Sequence, residues 1–363
     1  MSNTFESAFD PKRNNFDALR LGAALVVLLS HSYSLTGAKW EPVSYLLHYG
    51  YGGTLAVATF FVISGFLIAR SVQGHDMTDY VAARVLRIIP GLALVTLVET
   101  VIIAPAFYHG PAREYFRFYA LDHMRNVLVF GEDPAIAGVF TGLPFPYVNG
   151  SLWTLPVEVS FYLLLPFLML AAAKRRWVLL VAFALSLVLE PVARWYGLSD
   201  EQFGGFLFRT VRLFSVTQFL SYFMAGVVAW TYRDRIPYSR GHLALCFLLL
   251  FAARDSLAAP IVLKLCLPYA VLCVGIHGNA GALLRRSVGD LSYGVYLFSY
   301  PLLNVVIALG RLRLSPEAVT AIAAPLTLAT AWLSWQLVER PALSLRAPRR
   351  ARTVISAAPV RPG

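Results

Sequence analysis

Long apolar runs separated by short polar segments repeat along the whole chain. Each run is roughly 17–22 residues long, the length that an α-helix needs to cross a bilayer. Ten such runs lie at about 17–37, 52–70, 88–108, 151–172, 177–195, 212–232, 241–257, 258–276, 288–310 and 316–338. The seventh and eighth runs are separated only by a short polar turn around Arg254 and Asp255. The pattern predicts an all-α integral membrane protein, a bundle of about ten transmembrane helices.

Composition extends this picture to the whole chain. Only 14% of the 363 residues are charged, compared with about 25% in soluble proteins. The charge deficit is spread evenly, so we expect a single membrane domain over residues 1–345. Residues 346–363 are rich in Arg, Pro and Ala, and we expect them to form a basic, disordered tail. The connection at roughly 109–150 is the longest, and we expect it to re-enter the membrane or to cap a cavity.

The positive charges predict the orientation of the bundle. The formal net charge is +11, and the positive residues form short clusters between the apolar runs. With the N-terminus in the cytoplasm, 20 of the 31 Lys and Arg residues fall on the cytoplasmic side, as the positive-inside rule requires. We therefore expect both termini in the cytoplasm. Because no nucleic-acid-binding motif accompanies this charge, we expect no nucleic-acid partner.

The first run carries two ionisable residues at a spacing that suggests a path into the membrane. Arg20 and His31 are eleven residues apart, which places them on one helix face, separated by roughly 16 Å. Ionisable groups inside a span are costly and often functional. The alternative is a packing histidine, hydrogen-bonded to a neighbouring helix.

A second pattern lies between the second and third runs, in the segment YVAARVLRIIPG. Tyr80, Arg84 and Arg87 follow each other at spacings of four and three, so they share one face of a helix. Two arginines at a membrane mouth can bind phosphate groups through forked hydrogen bonds. Simple anchoring of the helix at the cytoplasmic surface explains them equally well.

The fourth run opens with NGSLWTLPVEVSFYLLLP and contains Glu158. If this helix enters from the outside, Glu158 and His31 lie at similar depth, roughly 9–10 Å below the outer surface. A carboxylate bonded to an imidazole would orient it and stabilise its charged form. The competing interpretation is a glutamate that pairs with an arginine for packing. Nearby, Gly65 allows close helix approach and Ser64 offers a polar contact.

Other motifs are weaker. Glu99 and Lys264 lie in span interiors, where they are expected to neutralise each other or to line a wet cavity. No pair of histidines has metal-ligand spacing, and no nucleotide fingerprint or nucleophile elbow is present. We therefore expect no metal and no permanently bound cofactor.

Taken together, these segments resemble the integral-membrane acyltransferase 3 family, which includes bacterial O-antigen and exopolysaccharide O-acetyltransferases. The resemblance lies in DALRLGAALVVLLSH, FFVISGFLIARS, YVAARVLRIIPG, SLWTLPVEVSFYLLLP, LSYGVYLFSYPLL and VERPALSL, which occur in the family's order from about residue 14 to residue 345. It implies a multi-pass protein of the bacterial inner membrane that takes an acyl group, usually acetyl, from cytoplasmic acyl-CoA. The acceptor would be a hydroxyl of a carbohydrate or glycolipid at the outer side. Acyl-CoA would be a co-substrate.

The resemblance also implies roles for individual residues. His31 would be catalytic, with Glu158 as the glutamate that follows the tryptophan Trp153. Arg84 and Arg87 would lie near the phosphates of CoA. The remaining implied residues are the entrance arginine Arg20 with its local partner Asp17, and the late tyrosines Tyr293 and Tyr296.

One departure concerns Ser299, which stands where many relatives have a histidine, and this puts that part of acceptor or donor handling in doubt. The chain also ends soon after the tenth run, so we expect the stand-alone form without an extracytoplasmic domain.

Two other functions fit part of the pattern. A transporter or flippase of a lipid-linked sugar would also need a polar membrane interior, but it does not explain arginines arranged for phosphate. A non-catalytic partner in a polysaccharide assembly is the third possibility. The acceptor, the acyl chain length, the choice between direct transfer and an acyl-histidine intermediate, and the oligomeric state stay open.

Overall fold

The computed structural model describes residues 3–131, 134–197, 204–207 and 211–345, and this part of the chain is almost entirely helical. The α-helices are α1 (Phe5–Ala8), α2 (Phe16–Leu35), α3 (Pro42–Leu47), α4 (Gly52–Gly74), α5 (Met77–Val98), α6 (Ala104–Phe107), α7 (Ala112–Phe118), α8 (Ala120–Met124), α9 (Thr154–Ala172), α10 (Trp177–Trp195), α11 (Leu213–Thr231), α12 (Arg240–Ala253), α13 (Ala259–Ile276), α14 (Ala280–Ser287), α15 (Ser292–Leu309), α16 (Pro316–Ser334) and α17 (Arg340–Ser344). The short strands β1 (Gly204–Leu207) and β2 (Val211–Arg212) pair antiparallel. The predicted basic tail, 346–363, lies outside the described residues.

Nine helices of the described chain are long and apolar enough to cross a membrane, which confirms the predicted fold class. The run predicted at 241–257 is present as α12, which has 14 residues. It ends early because the polar turn at Arg254 and Asp255 interrupts the apolar run. At 1.5 Å per residue it rises roughly 21 Å, short of the hydrocarbon thickness. The side on which the termini lie stays a prediction.

The centre of the bundle is α4, which packs against α2, α9, α11 and α13. Its tightest crossing is with α11, where Gly65 faces the carbonyl oxygen of Phe223 and Gly226 faces that of Val62. A Cβ atom on either glycine would overlap these backbone atoms. Close backbone approach at small residues is the usual way in which membrane helices associate, and the role predicted for Gly65 is confirmed.

Two spans are interrupted by a wide turn. A π-helical turn, Glu99–Ile103, joins α5 to α6, and a second, Trp335–Glu339, joins α16 to α17. Each contains a buried glutamate, because Glu99 is fully buried and Glu339 is 2% exposed. Wide turns of this kind are often found at functional sites.

The segment between α6 and α9 folds back onto the bundle. It contains α7, α8 and the 3₁₀-helix Arg125–Leu128. Its residues His123 and Asn149 are buried and bind Glu99, with His123 Nε2 at 3.1 Å and Asn149 Nδ2 at 2.6 Å from the carboxylate oxygens. Leu143 packs on the cluster that contains Tyr300 of α15. The segment therefore covers the end of the bundle.

The expectation that Glu99 and Lys264 neutralise each other is wrong. Glu99 binds His123 and Asn149, whereas the ammonium group of Lys264 lies 2.7 Å from Glu190 of α10. The partners come from distant parts of the chain, and the spacing of apolar runs does not indicate which helices are neighbours.

Candidate functional site

A cavity of about 130 Å³ lies between five helices, and we call it the arginine pocket. Its charged lining residues are Arg20 of α2, Arg84 and Arg87 of α5, and Glu158 of α9. Its other lining residues are Val57, Phe60, Phe61, Ser64, Ile88, Thr154, Leu155, Tyr162, Ser292, Tyr293 and Tyr296. Binding pockets for whole ligands usually measure about 300–1,000 Å³. The arginine pocket therefore has room for a narrow arm of a large ligand.

Arg87 is neutralised by carboxylates. Its guanidinium donates to Asp290 at 2.8 Å and lies 3.8 Å from Glu339, and it also lies over the ring of Tyr293. Burial alone would raise the pKa of Asp290, but the guanidinium groups of Arg87 and Arg20 outweigh it and hold this pKa below its ordinary value. Arg87 is therefore held in place by its carboxylate partners, and it also lines the pocket.

Arg84 and Arg20 differ from Arg87 because neither forms an ion pair with any described residue. The Nε atom of Arg84 is buried without a hydrogen-bond partner, and its guanidinium lies 5.7 Å from the centroid of the Tyr162 ring. The face of Tyr80, Arg84 and Arg87 is as predicted, and the Tyr80 hydroxyl donates to the Tyr162 carbonyl at 2.8 Å. The pocket therefore contains two guanidinium groups without a bound carboxylate.

The predicted partner of Arg20 is wrong. Asp17 accepts a hydrogen bond at 2.6 Å from Nε of Arg285, which lies in α14, and it forms no ion pair with Arg20. The helix spacing allowed Asp17 to pair with Arg20, but the guanidinium that binds Asp17 belongs to Arg285, 268 residues further along the chain. Because Asp17 is engaged in this way, Arg20 remains available to the pocket.

The predicted pairing of Glu158 with His31 is also wrong. Glu158 accepts hydrogen bonds from Ser64 at 3.3 Å and from the Tyr162 hydroxyl. His31 contacts Tyr51, which precedes α4, and Ser64 lies thirteen residues further along, roughly 20 Å down the helix axis. The two side chains therefore lie at different depths.

The error in depth has a physical cause in the turn before α9. Asn149 is fully buried and Ser151 is 1% exposed, so this turn lies within the bundle. Counting residues from the start of the apolar run therefore placed Glu158 too close to the surface.

His31 lies inside the bundle near the end of α2. Its ring contacts Tyr300 edge-on, with centroids 5.2 Å apart, and lies near Tyr51 at 6.2 Å. The Nδ1 atom is buried, and the imidazole forms no hydrogen bond with any described side chain or backbone group. This geometry does not match the alternative of a packing histidine satisfied by a neighbouring helix.

Three further predicted residues line the cavity or lie beside it. Tyr293 donates to the carbonyl of Ile88 at 2.8 Å, and Tyr296 donates to that of Ser151 at 2.9 Å. Trp153 stacks at a tilt on Phe219, 5.9 Å between centroids. The two tyrosine hydrogen bonds join α15 to α5 and to the turn before α9, and the Trp153 contact joins that turn to α11.

Ser299 is fully buried in α15, where its hydroxyl donates to the carbonyl of Tyr296 in the same helix. The hydrogen-bonding need of the Ser299 hydroxyl is therefore met within its own helix.

The arginine pocket ends before it reaches His31. Its lining stops at Val57 and Tyr296, and Tyr300, the neighbour of His31, lies one helical turn beyond Tyr296. A layer of side chains that includes Tyr300 therefore separates the arginine pocket from His31, and the path suggested by the spacing of Arg20 and His31 is closed there. Sequence reasoning did not single out Tyr300, and its spacing of four from Tyr296 was the available signal.

Sequence reasoning also missed residues that hold the pocket together. Asp290 and Glu339 bind Arg87, and Tyr162 connects Arg84 to Glu158. Glu158 and Tyr162 are four residues apart in one helix, and this spacing indicated the contact between their side chains. Within the described ranges, no group of histidine, cysteine and acidic residues could hold a metal ion.

Comparison with known proteins gives a consistent result over nearly the whole chain. A family model described as "Acyltransferase domain" matches residues 13–337. An O-acetyl transferase of Shigella phage Sf6 is 29% identical over 93% of this chain and 98% of its own length. Nodulation protein 10 of Rhizobium leguminosarum bv. viciae is 33% identical over 92% of this chain and 94% of its own length. Peptidoglycan O-acetyltransferase OatA of Listeria monocytogenes is 25% identical over 90% of this chain and 55% of its own length. No solved structure matches the chain.

Proposed function

Because the chain belongs to the acyltransferase 3 family, whose model covers residues 13–337, we propose that it is a membrane O-acetyltransferase that uses acyl-CoA. The acyl group, acetyl above all, would pass from the cytoplasm to a hydroxyl of a carbohydrate or glycolipid at the outer side. The protein would reside in the bacterial inner membrane with both termini in the cytoplasm. It would need no metal and no permanently bound cofactor.

The observation that carries this proposal is that two arginines of the pocket have no directly bound carboxylate among the described residues. Arg84 and Arg20 form no ion pair with a described carboxylate, although both face a cavity inside a membrane bundle. Guanidinium groups in such a place suit an anionic ligand, and arginine binds phosphate groups in a forked geometry. The phosphates of CoA would bind at the mouth of the pocket, where the first turns of α2 and α5 lie.

The shape of the pocket fits the second part of the donor. A cavity of about 130 Å³ accepts the narrow pantetheine arm but not the nucleotide. The arm would extend towards Tyr296, and a rearrangement of the layer at Tyr300 would bring the thioester to His31. A shift of side chains at this layer is therefore part of the proposal.

His31 would act as general base at the far end. Its imidazole would take the proton of the acceptor hydroxyl while that oxygen attacks the thioester carbonyl carbon. The carbon–sulfur bond then breaks, and the leaving sulfur takes the proton back from the imidazole, which yields the ester and free CoA. The hydrogen bonds of His31 are unused in the structure, so both substrates would meet an unoccupied base. General-base assistance contributes about 10²–10⁴-fold to such reactions.

The test is a transfer assay with purified protein in detergent. Acetyl-CoA labelled in the acetyl group is supplied with a surface glycan extract, and free thiol and labelled glycan are measured together. We expect both products in equal amounts. Thiol release that does not depend on this protein, or none at all, would contradict the proposal and would favour the transporter alternative, since a transporter consumes no acyl-CoA.

A further inference from the structure

A second cavity lies on the other side of α4 from the arginine pocket, and we call it the outer cavity. Its volume is about 580 Å³, within the range of about 300–1,000 Å³ that is usual for ligand pockets. It is bounded by α4, α10, α11 and α13 together with the loop before α4. Thr54 and Leu55 of α4 line it, whereas Val57 and Ser64 line the arginine pocket.

The outer cavity lies at the same end of the bundle as His31. His48 and Tyr49 line it, and Tyr51, two residues further along, contacts the imidazole of His31. Glu190 comes late in α10 and Lys264 early in α13, which places both near this end. The short loop 48–51 therefore connects the outer cavity to the proposed base.

Polar groups without partners face this space. The amide of Gln218 and the hydroxyl of Tyr222 line the cavity, and neither forms a hydrogen bond with any described residue. Beside them the carboxylate of Glu190 lies 2.7 Å from Lys264 and 2.7 Å from Arg194. Amide, hydroxyl and charged groups of this kind are donors and acceptors that match sugar hydroxyls.

Apart from His48, Tyr49 and Thr54, the remainder of the lining is apolar. Leu257 and Ile261 form part of it, and both side chains are exposed on the surface of a membrane bundle. A hydrocarbon chain can lie there in contact with the bilayer. A polar interior with exposed apolar side chains at its edge, beside the ion pair of His48 and Asp255, is complementary to a molecule that carries a sugar on a lipid.

We propose that the outer cavity binds a glycolipid, with its sugar against Gln218, Tyr222 and the Glu190 ion-pair cluster and its lipid chain along Leu257. The role of this cavity as the place from which the acceptor reaches His31 rests on the proposed function. Binding of a glycolipid in the cavity does not depend on that function.

The experiment is photolabelling of the purified protein in phosphatidylcholine nanodiscs. The probe is glucosyl diacylglycerol with a photoreactive diazirine in its lipid chain, and the labelled peptides are identified by mass spectrometry. We expect labels on α10 and α13, and at least tenfold better competition by unlabelled glucosyl diacylglycerol than by diacylglycerol.

Variants connect the label to the polar residues. Gln218→Leu combined with Tyr222→Phe should reduce labelling at least fivefold, whereas Thr217→Val should leave it unchanged. Thr217 is a matched control because its hydroxyl bonds within its own helix, to the carbonyl of Phe214. Size-exclusion profiles check that each variant is folded.

Two outcomes would overturn the inference. Equal competition by diacylglycerol would mean that the cavity recognises lipid but no sugar, and labels confined to other helices would mean that it does not bind the probe. Because labelling needs no acyl-CoA and no turnover, it can fail while acetyl transfer succeeds, and the reverse also holds.

Discussion

Tyr300 lies edge-on to His31, with 5.2 Å between the ring centroids. It follows Tyr296, which lines the arginine pocket, by one helical turn. Tyr300 also packs against Gly150, where an added Cβ would lie 2.6 Å from its ring. The layer that separates the pocket from His31 is thus held by the turn before α9. On the proposed route, a donor in the arginine pocket would pass this layer to reach His31.

Replacement of His31 by alanine is expected to lower acetyl transfer by about 10²–10⁴-fold, since the general base is removed. The loss of stability should be small, because the imidazole forms no hydrogen bond with any of the described residues. Transfer of labelled acetyl to glycan measures the effect. His75→Ala is the control, as this histidine follows α4 at its other end and its ring contacts the backbone carbonyl of Ser71. Equal activity of the two variants would refute the role of His31.

Arg84→Gln should raise the KM for acetyl-CoA about 10- to 100-fold, the loss expected for charged hydrogen bonds to phosphate worth about 1.5–3 kcal/mol. Arg84 forms no ion pair within the described part of the chain, so the change breaks none there and the folded protein should persist. Steady-state kinetics over a range of acetyl-CoA concentrations gives the result. The matched control is Arg125→Gln, which removes an exposed arginine paired with Asp122. An unchanged KM in Arg84→Gln would argue for simple membrane anchoring.

Stability in acid should depend on Asp290. Its pKa is lowered in the folded protein, so its contribution is complete above the ordinary aspartate pKa of about 4 and is lost as the pH falls through the lowered value. Asp290→Asn should therefore be less stable than the unmodified protein at pH 7, and the difference should disappear in strong acid. Heating in detergent at several pH values, followed by size-exclusion chromatography, tests this. A difference that does not change with pH would exclude the carboxylate as its source.

Glu99 is expected to stabilise the fold mainly through its hydrogen bonds, and its negative charge should contribute less. Glu99→Leu removes one hydrogen bond from each of the buried residues His123 and Asn149, at a cost of about 1–3 kcal/mol for each unsatisfied group, whereas Glu99→Gln keeps part of the hydrogen bonding and should cost less. Thermal unfolding in detergent distinguishes the two. Glu6→Leu serves as the control, since it removes a half-exposed ion pair with Arg233 worth about 0–1 kcal/mol. Similar losses in all three variants would contradict this ranking.

The helix crossing of α4 and α11 should not tolerate added volume. Gly65→Ala places a methyl group on the carbonyl oxygen of Phe223, and we expect a loss of about 1–3 kcal/mol from the forced backbone shift. Gly22→Ala is the control, because among the described residues no atom beyond its own helical turn lies within 4 Å of its added Cβ. The yield of monodisperse protein after heating measures both. A Gly65→Ala variant as stable as Gly22→Ala would mean that the crossing can open without cost.

What the sequence could predict was local. Apolar run length predicted the spans, and helical spacing predicted the shared face of Tyr80, Arg84 and Arg87. Spacing within one helix cannot indicate which distant residue competes for a charge, so the partner of Asp17 was missed. Nor can run length show that the turn before α9 lies inside the bundle, and Glu158 was therefore placed at the wrong depth.

The two wide turns at Glu99–Ile103 and Trp335–Glu339 each place one extra residue within a span. A π-helical turn holds about one residue more than an α-helical turn, so it accommodates the added residue while the helices on both sides keep their orientation. Removal of one residue at either point would restore an ordinary α-helical turn, and its effect would be local. It would fall on Glu99 and Glu339, whose carboxylates lie against Asn149 and Arg87 at these turns.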